Sequence, residues 1–246
     1  MSESNPNPDR SNSEAFYDER WEQCGDMKQY GPSSRHTREL IFDRLDGLDF
    51  STLIDIGCGD GTFLSEAAER YESTQLYGTD ISEESLHLAQ NRTDATVFQM
   101  DLGTESVEEA ETIDRRFDVG VCSEVLEHIE DDRPALRTIR NMCDQVVFTV
   151  PAGEYRDDDE QVGHYRRYSR SEFRNKVEDA GFEIVSIRNW GFPFYSPCYR
   201  LMIQNTSDEM RSGEYGTTRK AVSELIYYAF KLNVFDKGDR LLTHAR

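Results

Sequence analysis

From Leu53 onward, short apolar runs alternate with stretches whose apolar positions recur every three or four residues. Short continuous runs mark strands buried on both faces, and the longer period marks amphipathic helices, so the alternation is the rhythm of a parallel sheet with crossover helices. Strands are expected at 53–57 (LIDIG), 75–81 (QLYGTDI), 96–102 (TVFQMDL), 118–123 (DVGVCS), 146–151 (VVFTVP), 183–190 (EIVSIRNW) and 240–245 (RLLTHA). Helices are expected near 61–71, 83–92, 104–111, 132–143 and 170–180, the last stopped by Gly181, with SSRHTRELIFDRL as a leading helix. Seven strands suit a doubly wound α/β sheet. Residues 191–238 break the rhythm with an aromatic stretch, GFPFYSPCYRLMI, and then a helical SELIYYAFKLNVF. No internal repeat is visible.

A chain of 246 residues supports one sizeable domain with an embellishment. The expected layout is a disordered tail over 1–13 and a single domain over 14–246. Within it, 14–48 form lid helices, 50–190 a ligand-binding core, 191–238 an insertion and 239–246 the last strand. The net charge is −20, from 48 acidic against 28 basic residues, and only five of the basic ones are lysine. Such a surface repels nucleic acid and anionic lipid in ordinary salt. A halophilic setting also fits: at 1 M salt the Debye length is only about 3 Å, self-repulsion is screened, and the charge argument against nucleic acid weakens. The five cysteines are scattered without a C-x-x-C pair, which reads as buried thiols in a reducing cytosol. The N-terminal sequence has neither the basic start nor the apolar run of a signal peptide, and no run is long enough for a membrane span, so the expected location is cytoplasmic.

LIDIGCGDG at 53–61 carries the first chemistry. An apolar strand runs into Gly57, Gly59 and Gly61, where the turn needs positive φ and a ligand must reach bare backbone. The spacing is G-x-G-x-G, which departs from the G-x-G-x-x-G of nicotinamide dinucleotide sites. Asp80 closes the second strand, where a carboxylate can accept from ribose hydroxyls, and Asp101 closes the third, within reach of an adenine amino group.

The four segments LIDIGCGDG, YGTDIS, FQMDL and FDVGVCSEVLEHIED, in this order, resemble the class I S-adenosylmethionine-dependent methyltransferases. The resemblance covers roughly 50–190 and extends toward the end of the chain. It implies a Rossmann-like sheet whose seventh strand inserts antiparallel beside the fifth, which RLLTHAR would supply. It also implies S-adenosylmethionine as cofactor. Asp55, Gly57, Cys58, Gly59 and Gly61 would cradle its methionine and ribose, Asp80 and Ile81 the ribose, Asp101 and Leu102 the adenine, with Ser123 and Glu124 at the end of the fourth strand. EAFYDERWE, with Tyr17 and Trp21, resembles the family's N-terminal lid, and the 191–238 insertion would sit over the acceptor.

Methyl transfer from a sulfonium is an in-line displacement, so alignment of acceptor, methyl and sulfur is the main task. A hydroxyl acceptor must also lose a proton, which calls for a base such as histidine. His128 and His164 are the candidates, with Glu124 beside them; His36, His87 and His244 sit in helical or terminal contexts. Glu124, Glu127 and His128 stand at i, i+3 and i+4 and would share one face if a helix begins by Glu124. This E-x-x-E-H, with His164 after the fifth strand, resembles a divalent-cation site of ubiquinone-pathway O-methyltransferases and small-RNA 3′-end methyltransferases, implying Mg²⁺ or Mn²⁺ on Glu124, Glu127, His128 and His164. The plainer alternative is an E-H pair that packs the turn without metal.

Arg166 and Arg167, flanked by Tyr165 and Tyr168, offer planar forks for an acceptor carboxylate or phosphate; the competing reading pairs one arginine with the acidic run at 157–160. GHYRRYS resembles methyltransferases of small molecules, sugars or lipid-linked intermediates. The leading expectation is therefore O-methylation of a small-molecule or glycan acceptor by a monomer or homodimer. SELIYYAFKLNVF folds back as a lid or dimer contact, with peripheral membrane contact as the alternative. A metal-dependent RNA 2′-O-methyltransferase and a catalytically silent cofactor-binding adaptor are the competing functions.

Overall fold

Leu53, Ile54 and Ile56 are fully buried, as a parallel strand covered on both faces requires. The computed structural model describes residues 13–24, 26–103, 116–156, 159–160, 162–199, 201 and 214–246. Seven strands form one sheet: β1 (Thr52–Ile56), β2 (Gln75–Asp80), β3 (Thr96–Gln99), β4 (Phe117–Ser123), β5 (Cys143–Pro151), β6 (Ile184–Trp190) and β7 (Arg240–Ala245). Their order is β3-β2-β1-β4-β5-β7-β6. β7 runs antiparallel to both β5 and β6, while the other pairings are parallel. The expected doubly wound α/β sheet with its antiparallel last strand is thus the observed one. Its order reverses between β1 and β4, and in such sheets ligands bind in the crevice beyond the strand ends at that switch point.

Among the described residues the α-helices are α1 (Glu14–Cys24), α2 (Met27–Tyr30), α3 (Pro32–Leu45), α4 (Thr62–Arg70), α5 (Glu83–Arg92), α6 (Asp132–Met142), α7 (Arg170–Asp179) and α8 (Thr217–Phe230). One face of the sheet packs Ile139, Leu136, Phe173 and Val177 of α6 and α7. The other packs Ile41, Phe42 and Leu45 of α3 with Phe63 and Leu64 of α4. The expected helix at 104–111 and nearly all of the expected tail lie outside the described residues.

Two boundaries differ for local reasons. β3 ends at Gln99 rather than 102, because the Asp101 carboxylate accepts from the Gly103 N–H at 2.8 Å and turns the chain. β5 starts at Cys143, three residues early, because it pairs with Phe117 of β4.

Two pieces of the 191–238 segment are described. Residues Phe194–Tyr199 form a distorted helical turn, and α8 lies back against α3. Arg35 pairs with Glu224 at 2.5 Å, Lys231 with Glu39 at 2.7 Å, and the Tyr227 hydroxyl donates to Glu39. Among the described residues, no helix is long and apolar enough to cross a membrane.

Candidate functional site

The sheet's switch point opens into a cleft of about 1000 Å³. Its donor-side wall is built by the turn after β1. Gly57, Gly59 and Gly61 all have positive φ, at 78°, 52° and 73°. A Cβ on Gly57 would come within 2.3 Å of Val125 Cγ2, and one on Gly59 within 2.3 Å of the Trp21 ring, so the loop is bare backbone by steric necessity. The N–H groups of Gly57 and Cys58 donate to Thr79 O at 2.7 and 2.9 Å, fastening the loop to the end of β2. Asp80 completes the wall: Oδ2 accepts from Gly59 N at 2.9 Å and Oδ1 from Ser82 N at 3.0 Å.

Asp55 is almost wholly buried beneath this loop. Burial, reinforced by the Asp80 charge, pushes its carboxyl up to about 8. Burial raises Asp80 as well, against the hydrogen bonds from Ser82 and Gly59. A wall that concentrates carboxylates fits a cationic ligand. S-adenosylmethionine, with its sulfonium and α-ammonium, matches that electrostatic demand, and the bare glycine loop matches the need for close approach.

Ile81, Asp101, Leu102, Ser123 and Glu124 also line the cleft. Helix α1 brings Tyr17 and Trp21 to the same cleft, and Asp18 ties it down by accepting from Ser82 Oγ at 2.5 Å.

The opposite wall departs from sequence expectation. No helix begins at Glu124; the segment contains only a single 3-10 turn over Leu126–His128. Glu124 itself has φ of 59°, a left-handed conformation uncommon outside glycine, held by its N–H donating to Thr149 O at 2.9 Å. That backbone sends its side chain away from Glu127 and into an ion pair with Arg240, while Oε1 accepts from Thr149 Oγ1 at 3.2 Å. The expected four-residue cation set therefore loses Glu124 in this conformation.

The other three meet. Ligand atoms of Glu127, His128 and His164 all lie within 4.8 Å of one another. The imidazole centroids are 4.7 Å apart, and His164 Nε2 is 3.9 Å from Glu127 Oε1. Glu127 is fully buried, and among the described residues neither carboxylate oxygen has a hydrogen-bond partner. Burial raises that carboxyl to about 8. Such a group either stays protonated at a cost or acquires a cation. Two imidazoles and a carboxylate form a donor set suited to a divalent ion.

Tyr165 lines the cleft and is 40% exposed. Arg166, Arg167 and Tyr168 are committed elsewhere, which corrects the expectation that they face an anionic acceptor. Arg166 pairs with Asp132 at 3.0 Å, Arg167 with Asp159 at 2.6 Å, and the fully buried Tyr168 donates its hydroxyl to Asp132 at 2.7 Å. The physical reason is Asp132: a nearly buried carboxylate requires partners, and Arg166, Lys176 and Tyr168 supply them. The pairing of one arginine with the acidic run at 157–160 is the Arg167–Asp159 contact.

Arg240 is a charged cleft residue that sequence reasoning missed, as it did Lys28, Arg38 and Asp60. It opens β7, far along the chain from Glu124, and its only sequence signal was a cation at the start of the strand predicted to insert beside β5.

Comparison with known proteins agrees with this geometry. A family model described as a methyltransferase domain matches residues 32–187. The ubiquinone biosynthesis O-methyltransferase of Yersinia enterocolitica is 30% identical over 128 residues, 52% of this chain and 50% of that protein. Its counterpart in Citrobacter koseri is 32% identical over 135 residues, 54% of this chain and 52% of that one. The chain spans about half the length of the curated relatives it matches. Among solved structures, the N-methyltransferase NodS of Bradyrhizobium japonicum, bound to S-adenosyl-L-homocysteine, superposes with a TM-score of 0.60 at 16% identity, covering 95% of this chain and 98% of that one. A methyltransferase in complex with the Haloferax volcanii Trm112 activator gives 0.60 at 19% identity, covering 94% and 96%. From the family match over most of the sheet, together with the sheet order and the glycine loop, the chain belongs to the methyltransferase domain family, on the class I S-adenosylmethionine-dependent fold.

Proposed function

We propose that this chain transfers a methyl group from S-adenosylmethionine to a hydroxyl of a small-molecule or glycan acceptor, with a divalent cation held by Glu127, His128 and His164. The observation that carries the acceptor half is Glu127: a fully buried carboxylate without hydrogen-bond partners among the described residues, faced by two imidazoles, of which His128 lines the cleft. The name of the curated relatives, ubiquinone biosynthesis O-methyltransferase, supports oxygen as the atom methylated.

The donor supplies an electrophilic sulfonium methyl. The glycine loop approaches it without side-chain obstruction, Asp80 accepts from its ribose hydroxyls, and Asp55 with its neighbours offsets its positive charge. Tyr17 and Trp21 close over the donor and exclude water, which strengthens every electrostatic contact inside. A divalent cation supplies Lewis acidity that lowers the pKa of an acceptor hydroxyl. His128 would spend one nitrogen on the cation and the other on Gly163 O, which leaves Glu124, also lining the cleft, as the group that takes the proton.

The test uses purified protein in high salt with S-adenosylmethionine labelled at the methyl group and a cell extract split into lipid, aqueous small-molecule, protein and RNA fractions, with and without EDTA. Label in the lipid or small-molecule fraction, lost with EDTA, is the expected result. Label confined to RNA supports a 2′-O-methyltransferase instead, label undiminished by EDTA removes the cation, and no label in any fraction supports a cofactor-binding adaptor.

A further inference from the structure

The segment between β5 and α7 delivers His164 to the site, and the way it holds the ring goes beyond the proposed ligand set. Asp159 is almost wholly buried, at 1% exposure. Its backbone carbonyl does the work of the turn, accepting from the N–H of Val162 at 3.2 Å and of His164 at 2.9 Å. The side chain is therefore available for a second task, and its two oxygens are divided. Oδ1 lies 2.9 Å from His164 Nδ1. Oδ2 accepts from Arg167 Nε at 2.6 Å and from the Arg156 backbone N–H at 2.9 Å.

The division has a chemical consequence. A carboxylate only accepts, so the imidazole nitrogen facing Oδ1 has to carry the proton. With the proton on Nδ1, the lone pair sits on Nε2, the nitrogen 3.9 Å from Glu127 Oε1. Arg167 balances the Asp159 charge, which would otherwise stand uncompensated near the buried Glu127. The ring of His128 is held in a parallel way, with Nδ1 at 3.2 Å from Gly163 O, but by a neutral carbonyl. The same clamp reaches the 191–238 segment: Arg156 pairs with Asp239 at 2.8 Å, and Asp239 accepts from Ser196 Oγ.

We infer that Asp159, with Arg167 as its counter-ion, is a positioning residue that fixes the tautomer and direction of His164 so that Nε2 faces Glu127 and His128. The inference rests on the cation reading for its purpose, while the orientation itself stands on the hydrogen bonds above. Carboxylate partners of this kind orient metal-binding imidazoles, and losing one costs roughly 10–100-fold in metal affinity.

The experiment measures two things on full-length protein: the tautomer of His164, from nitrogen-edited NMR of the imidazole without metal, and Mn²⁺ affinity by calorimetry with Mn²⁺ alone. Wild type is expected to show the Nδ1–H tautomer. In Asp159→Asn, Arg167 holds the amide oxygen and turns the amide NH₂ toward Nδ1, so the tautomer inverts to Nε2–H and Mn²⁺ affinity falls about 10–100-fold. Asp159→Glu, which keeps the charge, recovers the Nδ1–H form and part of the affinity. A wild-type Nε2–H tautomer overturns the inference without any variant having to fold. So does a folded Asp159→Asn that binds Mn²⁺ as wild type does. Wild type with the Nδ1–H tautomer but no Mn²⁺ binding overturns the cation reading and upholds the hold of Asp159 on the ring, so the two failures are distinguishable.

Discussion

The two walls of the cleft are made in opposite ways. The donor wall is backbone: three glycines at positive φ, loop N–H groups fastened to Thr79 O, and one carboxylate at the end of β2. The proposed acceptor wall is side chains gathered from distant segments: Glu124 on Arg240, and His128, behind which lie Glu127 and His164, the latter held by Asp159. The first wall comes from one loop and the end of the next strand, and a side chain at Gly57 or Gly59 would collide with Val125 or Trp21. The second is assembled by tertiary contact, so each residue can be changed singly and its effect read separately.

That contrast fails if damage to the acceptor wall spreads to the donor, so the largest expected effect is its first test. His128→Ala takes a ligand from the cation that activates the hydroxyl and lowers kcat by roughly 10²–10³-fold, the scale of losing one electrostatic stabiliser of a developing oxyanion. S-adenosylmethionine affinity, measured by calorimetry on the same variant, stays near wild type. Loss of both together would mean that the walls are not separable.

Gly57→Val attacks the other side. The new Cβ meets Val125 at 2.3 Å on a backbone with φ of 78°. A non-glycine residue held there costs of order 1–3 kcal/mol. Displacement of the loop reduces donor affinity by about 10²-fold, whereas Mn²⁺ titration of the same protein still reports the Glu127–His128–His164 cluster.

Arg240→Met is smaller in effect. It strips the partner from Glu124 and from the Tyr195 hydroxyl, to which Arg240 Nε donates at 3.0 Å. The expected cost is about 1–3 kcal/mol in chemical denaturation, from leaving a charged group without its hydrogen bonds. Unburdened of Arg240, Glu124 can turn toward the cation cluster, and a tighter Mn²⁺ affinity in this variant would show that it does.

A separate effect is a pH dependence. Asp55 titrates near 8 in the folded chain, above the ordinary carboxylate value of about 4. A raised acid binds more protons folded than unfolded, so its contribution to stability is full at low pH and is lost as pH rises from about 4 to about 8. Denaturation of Asp55→Asn, compared with wild type across that window, should show a flatter profile; identical slopes would mean that Asp55 does not titrate there.

The same contrast explains what could be read from the sequence. The strands, the glycine loop and Asp80 are each written in a few consecutive residues, whereas the antiparallel place of β7 followed from the family resemblance alone. So did the expected lid residues Tyr17 and Trp21. Glu124 was misplaced because i, i+3, i+4 spacing assumes helix, and a single left-handed residue followed by a 3-10 turn removes that geometry. Arg166 and Arg167 were read outward because the demand of the buried Asp132 and Asp159 is invisible until the chain folds. Arg240 could only be found in three dimensions.

The central claim is that the cleft at the β1–β4 switch point holds S-adenosylmethionine against an acidic wall. Calorimetric titration of purified protein with S-adenosylmethionine, in two buffers of different ionisation heat near neutral pH, tests it most directly. The account predicts one site per chain, a Kd within the ~1 μM to 1 mM span typical of enzyme substrates, and release of protons as Asp55 ionises beside the cationic ligand. Binding without proton release would contradict the role given to Asp55, and no binding at all would contradict the assignment of the cleft.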